Sequence, residues 1–256
     1  MMKLYDNAFS PFARKIRLVL DHKQLPYEVV NGLAKSNREA LEAVNSRAEV
    51  PALVDGDVVI SNSSHIVAYL EHAYPDRPVY PSDPALRAKA LSWERCADTG
   101  LDSILVNISY WGWADRSDEM PEGLLEKAKA DLAQLYQAYE EALTGRDYLC
   151  GGLSVADFAS FPHLTAVRAL KVPFEAKVFP NLAGWMARMM SEDICNADIE
   201  RLKVFFQGAD LQDVERQKIF WRGDRIEWML ARGYHDWFLK EIREGRVLWP
   251  GLALPD

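Results

Sequence analysis

The stretch NAFSPFARK, Asn7 to Lys15, sets one hydroxyl, Ser10, directly before Pro11. Ser is a preferred N-cap, Pro is favoured at the first helical position, and Phe12, Ile16 and Leu20 follow at helical spacing. The local sequence therefore reads as a helix cap. A first helical turn also points free N–H groups and partial positive charge at whatever sits before it, so an anion held there would meet both the dipole and the hydroxyl. Elsewhere, Ser154-Val-Ala-Asp157 has the spacing of a capping box, in which Ser154 and Asp157 satisfy each other's backbone; both read as structural. Cys96, Cys150 and Cys195 are odd in number and far apart, and none belongs to a CxxC or CxxH pair. They read as small buried hydrophobes, with no metal site and no disulfide framework, as suits a reducing cytoplasm.

The elements that must position these groups change type along the chain. Lys3-Leu4-Tyr5 predicts a strand, Pro11 to His22 a helix, Pro26 to Val30 a second strand, and Asn37 to Val44 an amphipathic helix. Pro51 to Val54 and Val58 to Ile60 flank Asp55-Gly56-Asp57, a strong hairpin signal. Ser63 then reads as the cap of a helix whose Ile66, Val67, Leu70 and Ala73 share a face. The order β-α-β-α-β-β-α predicts a small α/β domain over residues 1–76 with a mixed sheet. The segment PDRPVYPSDP carries four prolines in ten residues and reads as a linker at 77–84. An all-helical domain is expected over 85–206, with Leu86 to Trp113 as one long helix and Pro121 to Leu143 as another. The remaining residues, 207–256, hold four of the eight tryptophans and form a helical extension, with Asp224 to Glu244 interrupted at Gly233.

The 256 residues are 49% hydrophobic and 27% charged, enough for a packed core, and the net charge is −8. No run of Lys and Arg suits phosphate contacts, which argues against nucleic acid as a partner. The absence of an 18-residue uncharged apolar segment and of a basic-then-apolar leader argues against a membrane span or signal peptide.

Over roughly residues 2–205 this pattern resembles the glutathione S-transferase superfamily. The resemblance rests on SPFARK after the first strand, NSRAEVPAL before the third, the DGD turn, VVISNSSHIVAYLEHAYPD, the Pro-rich linker and GGLSVADF. It implies a thioredoxin-like N-terminal domain, an all-helical C-terminal domain, glutathione as co-substrate, a small apolar electrophile as second substrate, and a cytoplasmic homodimer. Ser10 maps onto the catalytic position of the serine-type members, where it stabilises the glutathione thiolate. Pro51 maps onto a structural cis-proline, and Val50 before it onto the residue whose main chain pairs with the tripeptide. Ser63 maps onto the serine that takes the γ-glutamyl carboxylate, and Lys35 onto a lysine used for the glycine carboxylate. Two positions depart. Asn62 stands where an acid usually meets the γ-glutamyl amine, and Glu49 stands where many members carry Lys. Asp98, on the helix that lines the cleft, is a candidate to supply the missing negative charge. Ile104, Asn107, Ile108 and Trp111 are candidates for the second-substrate pocket.

The leading expectation is thus a glutathione transferase; the alternative is a non-catalytic relative that binds a ligand or a protein. Disulfide exchange is disfavoured, because Ser10 stands where the reactive cysteine would be and serine forms no mixed disulfide.

Overall fold

The computed structural model describes residues 1–208, 218–219 and 223–249. Leu4, fully buried, lies in β1 (Met2–Asp6) at the centre of a four-stranded mixed sheet. β1 pairs in parallel with β2 (Tyr27–Asn31) and antiparallel with β3 (Ala52–Asp55), and β3 pairs antiparallel with β4 (Val58–Ser61). The order is β2-β1-β3-β4. Leu4 lies opposite Leu53, and Leu53 opposite Ile60, so the register aligns one apolar row across three strands. Gly56, with φ +60°, makes the tight turn between β3 and β4. The parallel pair is joined through α1 (Pro11–Lys23); α2 (Arg38–Val44) and α3 (Ser63–Ala73) complete a thioredoxin-like domain. Lys35–Asn37 form a short 3-10 turn before α2.

The helical domain contains α4 (Pro84–Arg95), α5 (Asp102–Trp113), α6 (Leu124–Ala142), α7 (Val155–Ala166), α8 (Pro180–Ser191) and α9 (Asp193–Gly208). The single helix expected over Leu86 to Trp113 is two helices joined through a π-turn, Cys96–Leu101. Apolar periodicity does not reveal such a widened turn, which inserts residues without breaking the helical path. α6 starts after Gly123, at φ +73°, rather than at Pro121. The capping of α7 centres on Asp157: its carboxylate accepts from Ser154 N and Ser154 Oγ (3.0 Å each), Leu149 N (3.1 Å) and Trp185 Nε1 (2.9 Å). Trp185 is fully buried, so this knot ties α7 to α8 and to the loop before it.

The extension forms α10 (Gly223–Ala231) and α11 (His235–Arg243), separated at Gly233 (φ +86°). Lys218–Ile219 (β5) pair in parallel with Val247–Leu248 (β6), a strand pair without an obvious sequence signal. Of its tryptophans, Trp221 lies outside the described residues, Trp228 is buried, and Trp237 packs its ring against Trp111 of α5 at 5.4 Å.

The two domains meet along α1. Its apolar residues Ile16, Val19 and Leu20 join the sheet core, while Arg14, Lys15 and Arg17 are also buried, on the side that faces the helical domain. Arg14 and Arg17 both pair with Asp198 of α9 (2.7 and 3.1 Å), Arg17 with Asp6 (2.8 Å), and Lys15 with Glu94 and Asp98 (2.9 and 2.6 Å). Among the described residues no helix is long and apolar enough to cross a membrane, and no group of three His, Cys, Asp or Glu is arranged to hold a metal.

Candidate active site

Ser10 has extended backbone geometry (φ −73°, ψ 118°) and caps α1; its Oγ accepts from Ala13 N at 3.4 Å. That is long for a hydrogen bond, so the hydroxyl is loosely committed to the cap. The turn leading into it is held by Asn7, whose Oδ1 accepts from Phe9 N (3.0 Å) and whose Nδ2 donates to Asn31 (3.2 Å). Phe9, just before Ser10, is 43% exposed, and its ring meets that of Phe206 from the end of α9 edge-on at 5.8 Å. Phe206 is 54% exposed. These rings form an exposed apolar patch that begins at the residue preceding Ser10. They were not among the candidates read from sequence, although Phe9 adjoins Ser10 in the chain.

The remaining candidates lie at the entry to β3 and the start of α3. The Val50–Pro51 bond is cis, and Pro51 is buried at the head of β3. Glu49 is ion-paired with Arg47 at 2.8 Å, each half-buried. Its charge is thus met within the chain, by a residue two positions away that sequence reading passed over. Lys35 is exposed on the 3-10 turn. The cap of α3 is Asn62, not Ser63: at φ +71°, its Oδ1 accepts from Ser64 N at 3.0 Å, and Ser63 is the buried first residue of the helix. Asn tolerates positive φ better than most residues, which accounts for cap and backbone together.

Beneath that helix start lies a buried charge cluster. Ser64 Oγ donates to Glu94 (3.1 Å) and to Asp98 (3.4 Å), the two carboxylates that hold Lys15. Burial alone would lower the Lys15 ammonium, but Asp98 and Glu94 outweigh it and raise its pKa, so it stays charged. Asp98 Oδ1 is buried without a hydrogen-bond partner among the described residues. Two carboxylates against one ammonium leave the cluster one negative charge in excess.

The four residues expected in the second-substrate pocket present no open surface. Ile104, Asn107, Ile108 and Trp111 are all buried on α5. Asn107 Nδ2 donates to the Arg225 carbonyl of α10 (2.9 Å) and to Ser103 O (2.7 Å), and Trp111 meets the Trp237 ring edge-on. The extension covers this face of α5, a tertiary contact that helical periodicity cannot disclose.

With the geometry established, comparison with known proteins is direct. The family model described as "Glutathione S-transferase, N-terminal domain" matches residues 4–78, and "Glutathione S-transferase, C-terminal domain" matches residues 105–193. Pyrimidodiazepine synthase of Drosophila melanogaster is 40% identical over 206 residues, covering 74% of this chain and 76% of that one. The chain belongs to the glutathione S-transferase superfamily. Glutathione S-transferase omega-1 of Rattus norvegicus is 26% identical, covering 80% of this chain and 83% of its own. Among solved structures, a glutathione S-transferase from Rhodospirillum rubrum F11 superposes with a TM-score of 0.69 at 24% identity, covering 77% of this chain and 91% of that one. One from Methylobacillus flagellatus with glutathione bound gives 0.67 at 24%, covering 77% and 98%. At those identities the superpositions speak for the fold.

Proposed function

We propose that the protein is a glutathione transferase in which Ser10 stabilises the glutathione thiolate for attack on a small apolar electrophile. The observation that carries this reading is the Ser10 hydroxyl itself, capping α1 through one long bond beside an exposed pair of phenylalanines. A thiolate before the first turn is favoured by the helix dipole and by a donated O–H bond. The attacking sulfur forms a bond to carbon, the leaving group departs with its electron pair, and the thiol proton goes to solvent. Phe9 and Phe206 supply the apolar surface against which the electrophile packs, in place of the four covered residues of α5.

The tripeptide lies along Val50 by strand-like main-chain pairing. Ser63 and the N-terminus of α3 take its γ-glutamyl carboxylate. The excess negative charge of the Lys15–Glu94–Asp98 cluster, under Ser64, offsets the loss of an acid at Asn62 and attracts the γ-glutamyl amine. Lys35 supplies positive charge for the glycine carboxylate, and Arg47 answers the departure at Glu49 by pairing with it. Assembly as a homodimer and a cytoplasmic location follow the family.

Glutathione at millimolar concentration raises the melting temperature, since ligand bound only to the native state adds RT ln(1 + [L]/Kd). Ser10→Ala keeps that shift but lowers turnover of a generic electrophile. Loss of one donor to a developing anion costs on the order of 10²–10³ in rate at well-organised sites, and less at an open one. Unchanged turnover removes Ser10 from the mechanism, and an absent thermal shift removes glutathione.

A further inference from the structure

The extension reaches the first turn of α1 through a line of buried side chains. Arg225 of α10 donates from Nε and Nη2 to the two oxygens of Asp102, the first residue of α5, at 2.8 and 3.0 Å. Both residues are buried. Burial alone would raise the Asp102 carboxyl, but the charge and hydrogen bonds of Arg225, with His163, outweigh it and hold Asp102 well below the usual range. The second neighbour of Asp102 is His163 of α7, 2% exposed, whose Nε2 stands 3.9 Å from Asp102 Oδ1 and has no hydrogen-bond partner among the described residues. Its Nδ1 lies 3.0 Å from the Ala159 carbonyl. The imidazole is thus fixed at one nitrogen, with the charged pair facing the other. Its ring meets Phe12 edge-on, with centroids 5.7 Å apart and planes at 89°.

Phe12 stands in the first turn of α1, between Pro11 and the Ala13 whose N–H reaches Ser10 Oγ. The same turn is gripped at a second point. Arg14 donates to Pro162 O (3.1 Å) and Thr165 Oγ1 (3.0 Å), so α7 holds it through residues on either side of His163. Arg14 also pairs with Asp198 of α9, whereas the Phe12 arm continues through His163 and Asp102 to Arg225 of the extension.

We propose that Arg225 is a positioning residue for thiol activation, holding Ser10 in place through Asp102, His163 and Phe12. The proposal rests on the reading of Ser10 as the thiolate's hydrogen-bond donor. Because the Ser10–Ala13 bond is already at the long end of the range, a small movement of the turn redirects the hydroxyl, and displacements near an ångström change rates steeply. Two other ion pairs that tie the extension to the helical domain are differently placed: Arg232–Asp131 links α10 to α6, and Arg116–Glu241 links the loop after α5 to α11. Neither leads to α1, which makes Arg232 an internal control for loosening the extension.

The test is the pKa of the bound glutathione thiol, read from thiolate ultraviolet absorbance across a pH titration of the full-length protein, alongside glutathione affinity by calorimetry. In the wild type the bound thiol titrates below free glutathione. Arg225→Gln raises it by about half a unit or more, roughly a threefold loss of thiolate at pH below the thiol pKa, with kcat falling and glutathione Kd, measured in that same pH range, nearly unchanged. Arg232→Gln leaves the thiol where it was. Asp102→Asn shifts it in the same direction as Arg225→Gln, and the double variant is no worse than either single, as expected of groups acting in series. Should Arg225→Gln fail to fold, Asp102→Asn carries the test, since it keeps the shape of the clasp. An unshifted thiol in these variants, or an equal shift in Arg232→Gln, overturns the proposal while leaving Ser10 in place. A wild-type bound thiol no more acidic than free glutathione overturns the Ser10 reading, and this proposal falls with it.

Discussion

The thioredoxin-like domain and the C-terminal extension both dock on the helical domain, but by different physics. The first is joined by buried charge: Arg14, Lys15 and Arg17 of α1 meet Asp198, Glu94, Asp98 and Asp6, every one at 5% exposure or less. Among the described residues the extension has one ion pair with both members buried, Arg225–Asp102. It relies otherwise on Trp228, Met229, Tyr234 and Phe238 in the core and on ion pairs nearer water. Charges taken out of water repay their desolvation only in one geometry, so the α1 seam contributes a unique orientation more than net stability. Apolar burial tolerates small slides, so the extension gains adhesion but less definition. The domain carrying Ser10 is accordingly fixed by charge, and the covering segment chiefly by aromatic packing.

Removing one member of the seam is the sharpest way to break this comparison. Asp198→Ala leaves Arg14 and Arg17 without their shared carboxylate, and loss of a buried partner costs about 3–5 kcal/mol. Urea unfolding measures it, and a loss below about 1 kcal/mol refutes the role given to the seam.

Acid separates the extension next. Burial alone would raise the Glu241 carboxyl, but hydrogen bonds from Arg116 and Arg246 outweigh it and lower it from 4.5 to about 2. Its folded pKa lies below the unfolded one, so its contribution is present above about pH 4.5 and is lost as pH falls towards 2. Tryptophan fluorescence, which reports on Trp228 and Trp237, tracks release in that window. Glu241→Gln reduces the acid dependence without abolishing it, because Asp102 and Asp131 are also held low by arginines.

The half-exposed pair Arg232–Asp131 carries less. Arg232→Ala lowers stability by about 1 kcal/mol or less, and the difference narrows in high salt. Smaller still is the effect at the groove. Glu49→Lys removes a carboxylate that Arg47 already neutralises, so glutathione tightens by about threefold at most, below 1 kcal/mol, and salt erases the gain. A tenfold gain by calorimetry shows that Arg47 does not shield the site from Glu49.

Legibility followed the range of the interaction. Ser10 before Pro11 is a local signal, and the cap stands where it predicts, as does the Asp55-Gly56-Asp57 hairpin. The α3 cap falls one residue before the Ser63 that the sequence favours, because Ser63 and Asn62 are both good caps and the bond from Ser64 N to Asn62 Oδ1 decides between them. The Arg47–Glu49 pair was within reach, two residues apart in NSRAEVPAL.

By itself the sequence determined the order of elements in the first domain, the switch from mixed sheet to helices at the prolines, and a hydroxyl at the head of α1. Each depends on residues within one or two turns of each other, where propensity, capping and periodicity act directly. Only the tertiary structure decided that Arg14, Lys15 and Arg17 are buried, that α10 and α11 cover Asn107 and Trp111, that Phe206 joins Phe9, the residue before Ser10, and that Arg225 pairs with Asp102. These contacts join residues far apart in the chain, and a charged or aromatic side chain acquires its role only when packing selects its partner.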